Sequence, residues 1–206
     1  MTIHYHHGDL RRAVLDRALE VVAAGGPTSL SLRAIAADLG VSHTAPRHHF
    51  GSTRGLLTAI AVDGFGELGE RLSRSRLGGG SFLDSGVAYV EFALDRPAHF
   101  QVMFQPTLLD LEDAALAAAM DATFGELRTG VDSLGGSGTS GSRAVSDAAA
   151  AVIAGWGLVH GIATLALTGN LDRAGVGDLV AGGDVLGITR RSGSLLYGSP
   201  VGGTSP

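Results

Sequence analysis

Between Arg33 and Thr53 this 206-residue chain carries a run of side chains suited to reading a polyanion. Ser42, His43 and Thr44 are short donors and acceptors of the kind that reach base edges in a DNA groove. The methyl of Ala45 suits the methyl of thymine. Arg47 offers a planar guanidinium fork that matches either the O6 and N7 acceptors of guanine or a phosphate. Arg33 upstream and Thr53 downstream are spaced for contacts to a sugar-phosphate backbone. Two alternatives stay open within this set. Ser42 serves equally well as a helix cap, and His48 reads equally as a contact and as a solvated surface group. His49, with Phe50, packs the short helix, and its imidazole remains available to a phosphate.

Elements that could hold these residues are legible around them. From Asp9 to Ala24, Leu10, Val14, Ala18 and Val22 recur every four residues, with Asp9 as cap and Gly25-Gly26-Pro27 as stop. A second helix is expected over 32–39, capped by Ser31 and ended by Gly40. A third is expected over 43–50, capped by Ser42, with Pro46 near its first turn. Two short helices joined by Gly40-Val41-Ser42 outline a helix-turn-helix. Longer helices are expected over 52–76, 82–95, 97–104 and 107–129, with a Gly- and Ser-rich loop over 129–142 and a tail beyond Gly182 of similar composition.

The string Ser31 to Phe50, followed by Leu56-Leu57, resembles the DNA-binding region of the TetR family of bacterial regulators. The resemblance rests on Ile35-Ala36, Gly40-Val41-Ser42, His49-Phe50 and Leu56-Leu57. Tyr5 to Arg11 is similar to the opening of one TetR subgroup, and Trp156-x-x-x-His160-Gly161 to the Trp-His-Gly carboxy-terminal domain that accompanies it. The resemblance implies an all-α fold: an N-terminal three-helix helix-turn-helix module plus a C-terminal helical ligand-binding and dimerisation bundle. It implies a ligand-responsive repressor acting as a homodimer on a palindromic operator in double-stranded DNA. The expected division is 1–54 for the DNA-binding domain, 55–183 for the ligand-binding and dimerisation domain, and 184–206 for a disordered tail. Two positions depart from the family. Arg47 stands where Tyr is usual and can still bind phosphate, and Thr53 stands where Lys is common, with Arg54 beside it as a replacement.

The resemblance also implies a mainly apolar cavity in the body for a small apolar or amphipathic ligand, with Phe92, Phe100, Met103, Phe104, Trp156 and His160 as its lining. Core packing accounts for most of these residues equally well. The segment 148–171 has no charged side chain apart from a protonatable His160 and is long enough to cross a bilayer. His160, Thr164 and Gly155, Gly157 and Gly161 argue instead for a helix buried between helices, which the resemblance implies pairs across a two-fold axis.

Composition sets further limits. Net charge is −5, yet residues 1–60 hold six arginines against four acids, a balance of +2. A mildly basic head thus precedes an acidic body, which favours DNA at one end only. There is no cysteine, so disulfides and thiolate metal sites are excluded and a reducing cytoplasm is compatible. Met1 to Gly8 lacks the apolar stretch of a secretory signal. His4, His6 and His7 lack an anchored fourth ligand, so no metal is expected; they read as an arm near DNA. No nucleophile elbow, phosphate loop or dinucleotide fingerprint occurs, so neither an enzyme nor a cofactor is expected. The competing reading is a ligand-binding or interaction protein whose DNA head has degenerated at positions 47 and 53.

Overall fold

The computed structural model describes residues 7–132, 142–175 and 184–197. Among the described residues there are ten α-helices, two 3-10 turns and no strand. The histidine arm at His4 and His6 lies outside them, as does most of the Gly-Ser loop.

Helix α1 (His7–Gly25) buries Leu10, Val14, Leu15, Ala18 and Val22, one stripe of a 3.6-residue period. It starts before Asp9, which is an internal residue and not the expected cap. A 3-10 turn at Pro27–Ser29 leads to α2 (Leu32–Asp38), where the Ser31 hydroxyl accepts the Ala34 N–H at 3.5 Å. Gly40 closes α2 at φ +65°, a region L-residues avoid. Its N–H reaches the Ala37 carbonyl while Val41 N–H reaches that of Ala36, the left-handed glycine cap.

Helix α3 (Ala45–Phe50) begins two residues later than expected. The Ser42 hydroxyl bonds the Thr44 hydroxyl at 2.9 Å and accepts the Thr44 N–H, and Ala45 N–H bonds the Ser42 carbonyl. Residues 42–44 therefore form a turn ahead of the helix. Helix α4 (Thr53–Leu77) is capped by Ser52, whose hydroxyl accepts the Gly55 N–H at 3.1 Å. Helix α5 (Phe82–Asp95) matches the expected span and opens on a reciprocal cap between Ser81 and Asp84. Helix α6 (Pro97–Met103) follows.

The expected helix over 107–129 is corrected. Pro106–Leu108 is a 3-10 turn, Leu109 is extended, and α7 (Ala114–Asp132) starts only where Asp113 accepts the Leu116 N–H at 2.9 Å. Leu108, Leu109 and Leu111 mimic a helical stripe, but Leu109 is 2% exposed without being helical. Helix α8 (Ser142–Leu167) and the short α9 (Asn170–Arg173) follow.

Helix α10 (Val185–Tyr197) occupies part of the stretch whose composition suggested disorder. Gly187, Gly193 and the serines are poor helix formers, but the helix packs on α5, where Gly193 lies against the Leu83 side chain. A Cβ at Gly193 would lie 2.2 Å from Leu83 Cδ1. Asp184 caps the helix by accepting the Gly187 N–H, and Arg190 pairs with Asp84 at 2.7 Å. Residues 198–206 lie outside the described set.

The chain divides into two compact units, 1–66 with 96–120 and 67–95 with 121–206. In the first, α1, α2 and α3 pack mutually, and α6 lies against α1. In the second, α5, α8 and α10 form a three-helix layer.

Candidate nucleic-acid interface and ligand cavity

Helix α3 divides its six residues cleanly by face. Pro46 and Phe50, four apart, are buried; Ala45 and His49 are half-buried; Arg47 and His48 are exposed on the opposite side. Ser42, His43 and Thr44 are exposed at the amino end, and Arg33 is exposed in the first turn of α2. Thr53, half-buried, is the first residue of α4. One short helix thus presents a polar face and a polar leading turn, anchored from behind. Arg11 of α1 lies 5.5 Å over the Phe50 ring, an anchoring contact that periodicity did not reveal. Arg17 pairs with Glu20 and ties α1 to α2 through Asp38 at 2.8 Å, and these two carboxylates raise its pKa further.

Two arginines behave differently from one another. Arg47 is exposed and donates Nε to the Gly51 carbonyl at 3.3 Å, leaving its terminal nitrogens on the solvent face. Arg54 is also exposed, but its terminal nitrogens are engaged, donating to the Leu109 and Thr107 carbonyls at 3.3 and 3.4 Å. It lines a polar cleft of about 390 Å3 together with Arg11, His49, Thr58, Asp110 and Asp113.

The six side chains expected around a ligand fall into separate groups. Phe100 and Phe104 stack edge-on at 5.2 Å, Phe104 meets Phe65 at 5.6 Å, and Met103 is buried, all in the first unit. In the second, Phe92 is fully buried beneath the Arg71 guanidinium, which is itself held by Glu67 and Asp95. Trp156 and His160 meet at Tyr89. The Trp156 indole N–H donates to the Tyr89 oxygen at 3.3 Å, and that oxygen lies 2.9 Å from His160 Nδ1. Burial pushes the Tyr89 hydroxyl pKa up and the His160 pKa down, so both groups are neutral. Tyr89 carries no motif signal; only the fold shows it as the partner of both rings.

An apolar cavity of about 30 Å3 lies among α5, α8 and α10. Tyr89, Trp156, Val159 and Gly86 line it from α5 and α8, and Thr189 and Gly193 from α10. Of the six expected residues, Trp156 is on this wall.

An exposed polar helix held by a glycine turn within a three-helix head, joined to further helices, defines a helix-turn-helix DNA-binding protein. Residues 14–60 match the family profile "Bacterial regulatory proteins, tetR family", and residues 82–186 match "Tetracyclin repressor-like, C-terminal domain". The chain belongs to the TetR family and is a DNA-binding transcriptional regulator, not an enzyme. Among solved structures it is similar to a protein of unknown function from Rhodococcus sp. RHA1, with 30% identity, a TM-score of 0.73 and coverage of 95% of this chain and 97% of that one. The TetR family regulator PfmR from Thermus thermophilus shares the fold at 17% identity and TM-score 0.59, covering 89% and 96%. A TetR variant from Acinetobacter baumannii AYE, solved in complex with minocycline, does so at 21% and 0.54, covering 95% and 100%. No curated protein matches the sequence.

Proposed function

We propose that this regulator is a ligand-responsive repressor of the cytoplasm that binds a palindromic operator as a homodimer. In this reading residues 1–54 are the DNA-binding domain, and 55–183 bind ligand and dimerise. The single observation that carries it is the face of α3. Ser42, His43, Thr44, Arg47 and His48 are all exposed while Pro46 and Phe50 are buried, so the helix can enter a major groove without unfolding anything. Arg33, Ala45, His49 and Thr53 flank that face as backbone or methyl contacts.

Dimerisation is supported by α8. Residues 149–167 are apolar enough to cross a membrane, yet only 22% of that stretch is buried within one chain. Ile153 is 67% exposed, and Cβ atoms at Gly157 and Gly161 would meet nothing. A second copy, laid along this small-residue face, covers it better than a bilayer, given His160 and Thr164 within the span. Two-fold pairing of the heads then matches a palindrome. A ligand role is supported by the minocycline held by the Acinetobacter relative; the apolar cavity at Trp156, at about 30 Å3, would have to widen to admit an organic molecule. The subgroup resemblance gains a physical basis, since Trp156 and His160 share the Tyr89 hydroxyl.

The test is an anisotropy titration against duplexes flanking the gene, with scrambled duplex and Arg47→Ala as controls. Sequence-selective binding that weakens steeply with salt, and weakens about tenfold or more with Arg47→Ala, supports the reading. Equal binding to all duplexes, or none at low salt, overturns it.

A further inference from the structure

We infer that Arg54 and Thr58 are positioning residues that set the pose of α3, and that Arg54 is not a phosphate contact; this rests on the DNA-binding reading above. Arg54 sits in the first turn of α4, where the helix dipole disfavours a cation. Two carbonyl oxygens, from Thr107 and Leu109, compensate by accepting its terminal N–H groups. Thr58 stands one turn further along and is 2% exposed. Its hydroxyl donates to the Arg54 carbonyl at 2.9 Å and accepts the Asp110 N–H at 2.9 Å, so a buried group makes a bond in each direction. Three hydrogen bonds thus join one turn of α4 to the 107–110 segment, and a fourth, within α4, links Thr58 to Arg54.

That turn is also the seat of α3. The Cα of Gly55 approaches the Phe50 carbonyl so closely that a Cβ there would lie 2.0 Å from the oxygen. Phe50 is the last residue of α3, and Gly51, at φ +69°, reverses the chain immediately after it. Any rotation of the first turn of α4 therefore moves the carboxyl end of α3 with it. Releasing Arg54 or Thr58 from the 107–110 segment loosens that seat and costs DNA affinity without removing a contact to DNA.

Salt dependence separates the two roles. A phosphate contact contributes about 0.9 to the slope of log affinity against log salt, whereas a positioning residue contributes nothing to it. The experiment selects a duplex from a random-sequence pool with the wild-type protein. Its binding is then titrated at several salt concentrations for wild type, Arg54→Ala, Arg54→Lys, Thr58→Val and the Arg54→Ala/Thr58→Val double variant. We expect each alanine or valine variant to bind about three- to tenfold more weakly with an unchanged slope. The double variant should lose less than the product of the singles, because both belong to one set of bonds. Arg54→Lys, which keeps the charge but not the fork, should fail to restore wild-type affinity. A slope flattened by about one in Arg54→Ala, with Thr58→Val silent or Arg54→Lys equal to wild type, overturns the proposal. If the wild type selects no duplex, the DNA-binding reading fails separately, and hydrogen exchange then decides. Faster exchange at the amides of residues 51–58 in Arg54→Ala and Thr58→Val supports the positioning role, and unchanged exchange overturns it.

Discussion

Replacing glycine by alanine on α4 should have opposite effects at two positions, and the sign follows from geometry. Alanine is the better helix former by roughly 1 kcal/mol at an exposed interior site. At Gly66, exposed in the middle of α4, an added Cβ meets nothing within 4 Å, so Gly66→Ala should stabilise by about 0.5–1 kcal/mol. At Gly55 the same Cβ would sit 2.0 Å from the Phe50 oxygen. That obstacle is backbone, so no rotamer change relieves it, and α3 and α4 must separate by about 1 Å to reach a tolerable contact. Overpacking of this kind costs about 1–3 kcal/mol against a propensity gain of about 1 kcal/mol, which leaves a net loss of up to about 2 kcal/mol. For a chain of this size 1 kcal/mol corresponds to about 2–4 °C in Tm. Thermal melts followed by circular dichroism should therefore show Gly66→Ala melting a few degrees above wild type and Gly55→Ala several degrees below it. Gly55→Ala should also weaken operator binding, since the displaced element is α3. If both variants are stabilised alike, the close approach of α4 to the end of α3 is wrong, and with it the account of how α3 is seated.

Four further outcomes are expected. Arg190 and Ser81 hold the Asp84 pKa down to about 2, below its ordinary value near 4, so the folded state gains from its ionisation above about pH 4 and loses that gain as pH falls toward 2. Fluorescence of Trp156, the single tryptophan, should report α10 loosening across this window, and Asp84→Asn should remove that limb; an unchanged acid profile would refute the link. Burial holds the His160 pKa below its ordinary value near 6.5, so its contribution to stability should be full above that pH, decline as pH falls below it, and level off beneath the folded-state value. In a urea melt at neutral pH, Tyr89→Phe should cost roughly 1–2 kcal/mol by removing the hydroxyl both rings use; an unshifted midpoint would show that the hydroxyl is not shared. If the wild type runs as the proposed dimer in light scattering, Ile153→Asp, on the uncovered face of α8, should reduce it to monomer with helix content retained; a dimeric variant would place the contact elsewhere.

Local signals carried the head of the molecule. Ser31 caps α2, Gly40 ends it, and the four-residue recurrence from Leu10 to Val22 marks the buried side of α1, because each depends only on neighbours a few residues away. The exposed face of α3 was readable for the same reason. What escaped depends on distant partners. Nothing near Arg54 in the sequence shows that residues more than fifty positions away supply carbonyl oxygens to its guanidinium. Tyr89 looks like one more core aromatic until α8 brings two ring nitrogens to its hydroxyl. Helix α10 has weak intrinsic propensity, and its glycines signal a loop until α5 shows why bulk is excluded there. The stretch from Pro106 to Asp113 misled in the other direction, since its leucines mimic a helical stripe while Leu109 is buried from an extended backbone.

The size of the cavity among α5, α8 and α10 has a consequence in time. Its 30 Å3 suits a water or two, whereas pockets for small organic ligands run to roughly several hundred. A molecule of that size settling there must displace a wall, such as α10, which packs on both α5 and α8 and adds one exposed ion pair to α5. Occupancy would then wait on excursions of that helix, so the observed rate of uptake would level off at high ligand concentration. The equilibrium affinity would be discounted by the small fraction of molecules standing open. If this cavity takes a ligand, the response would follow how long that ligand persists more than how abruptly it arrives.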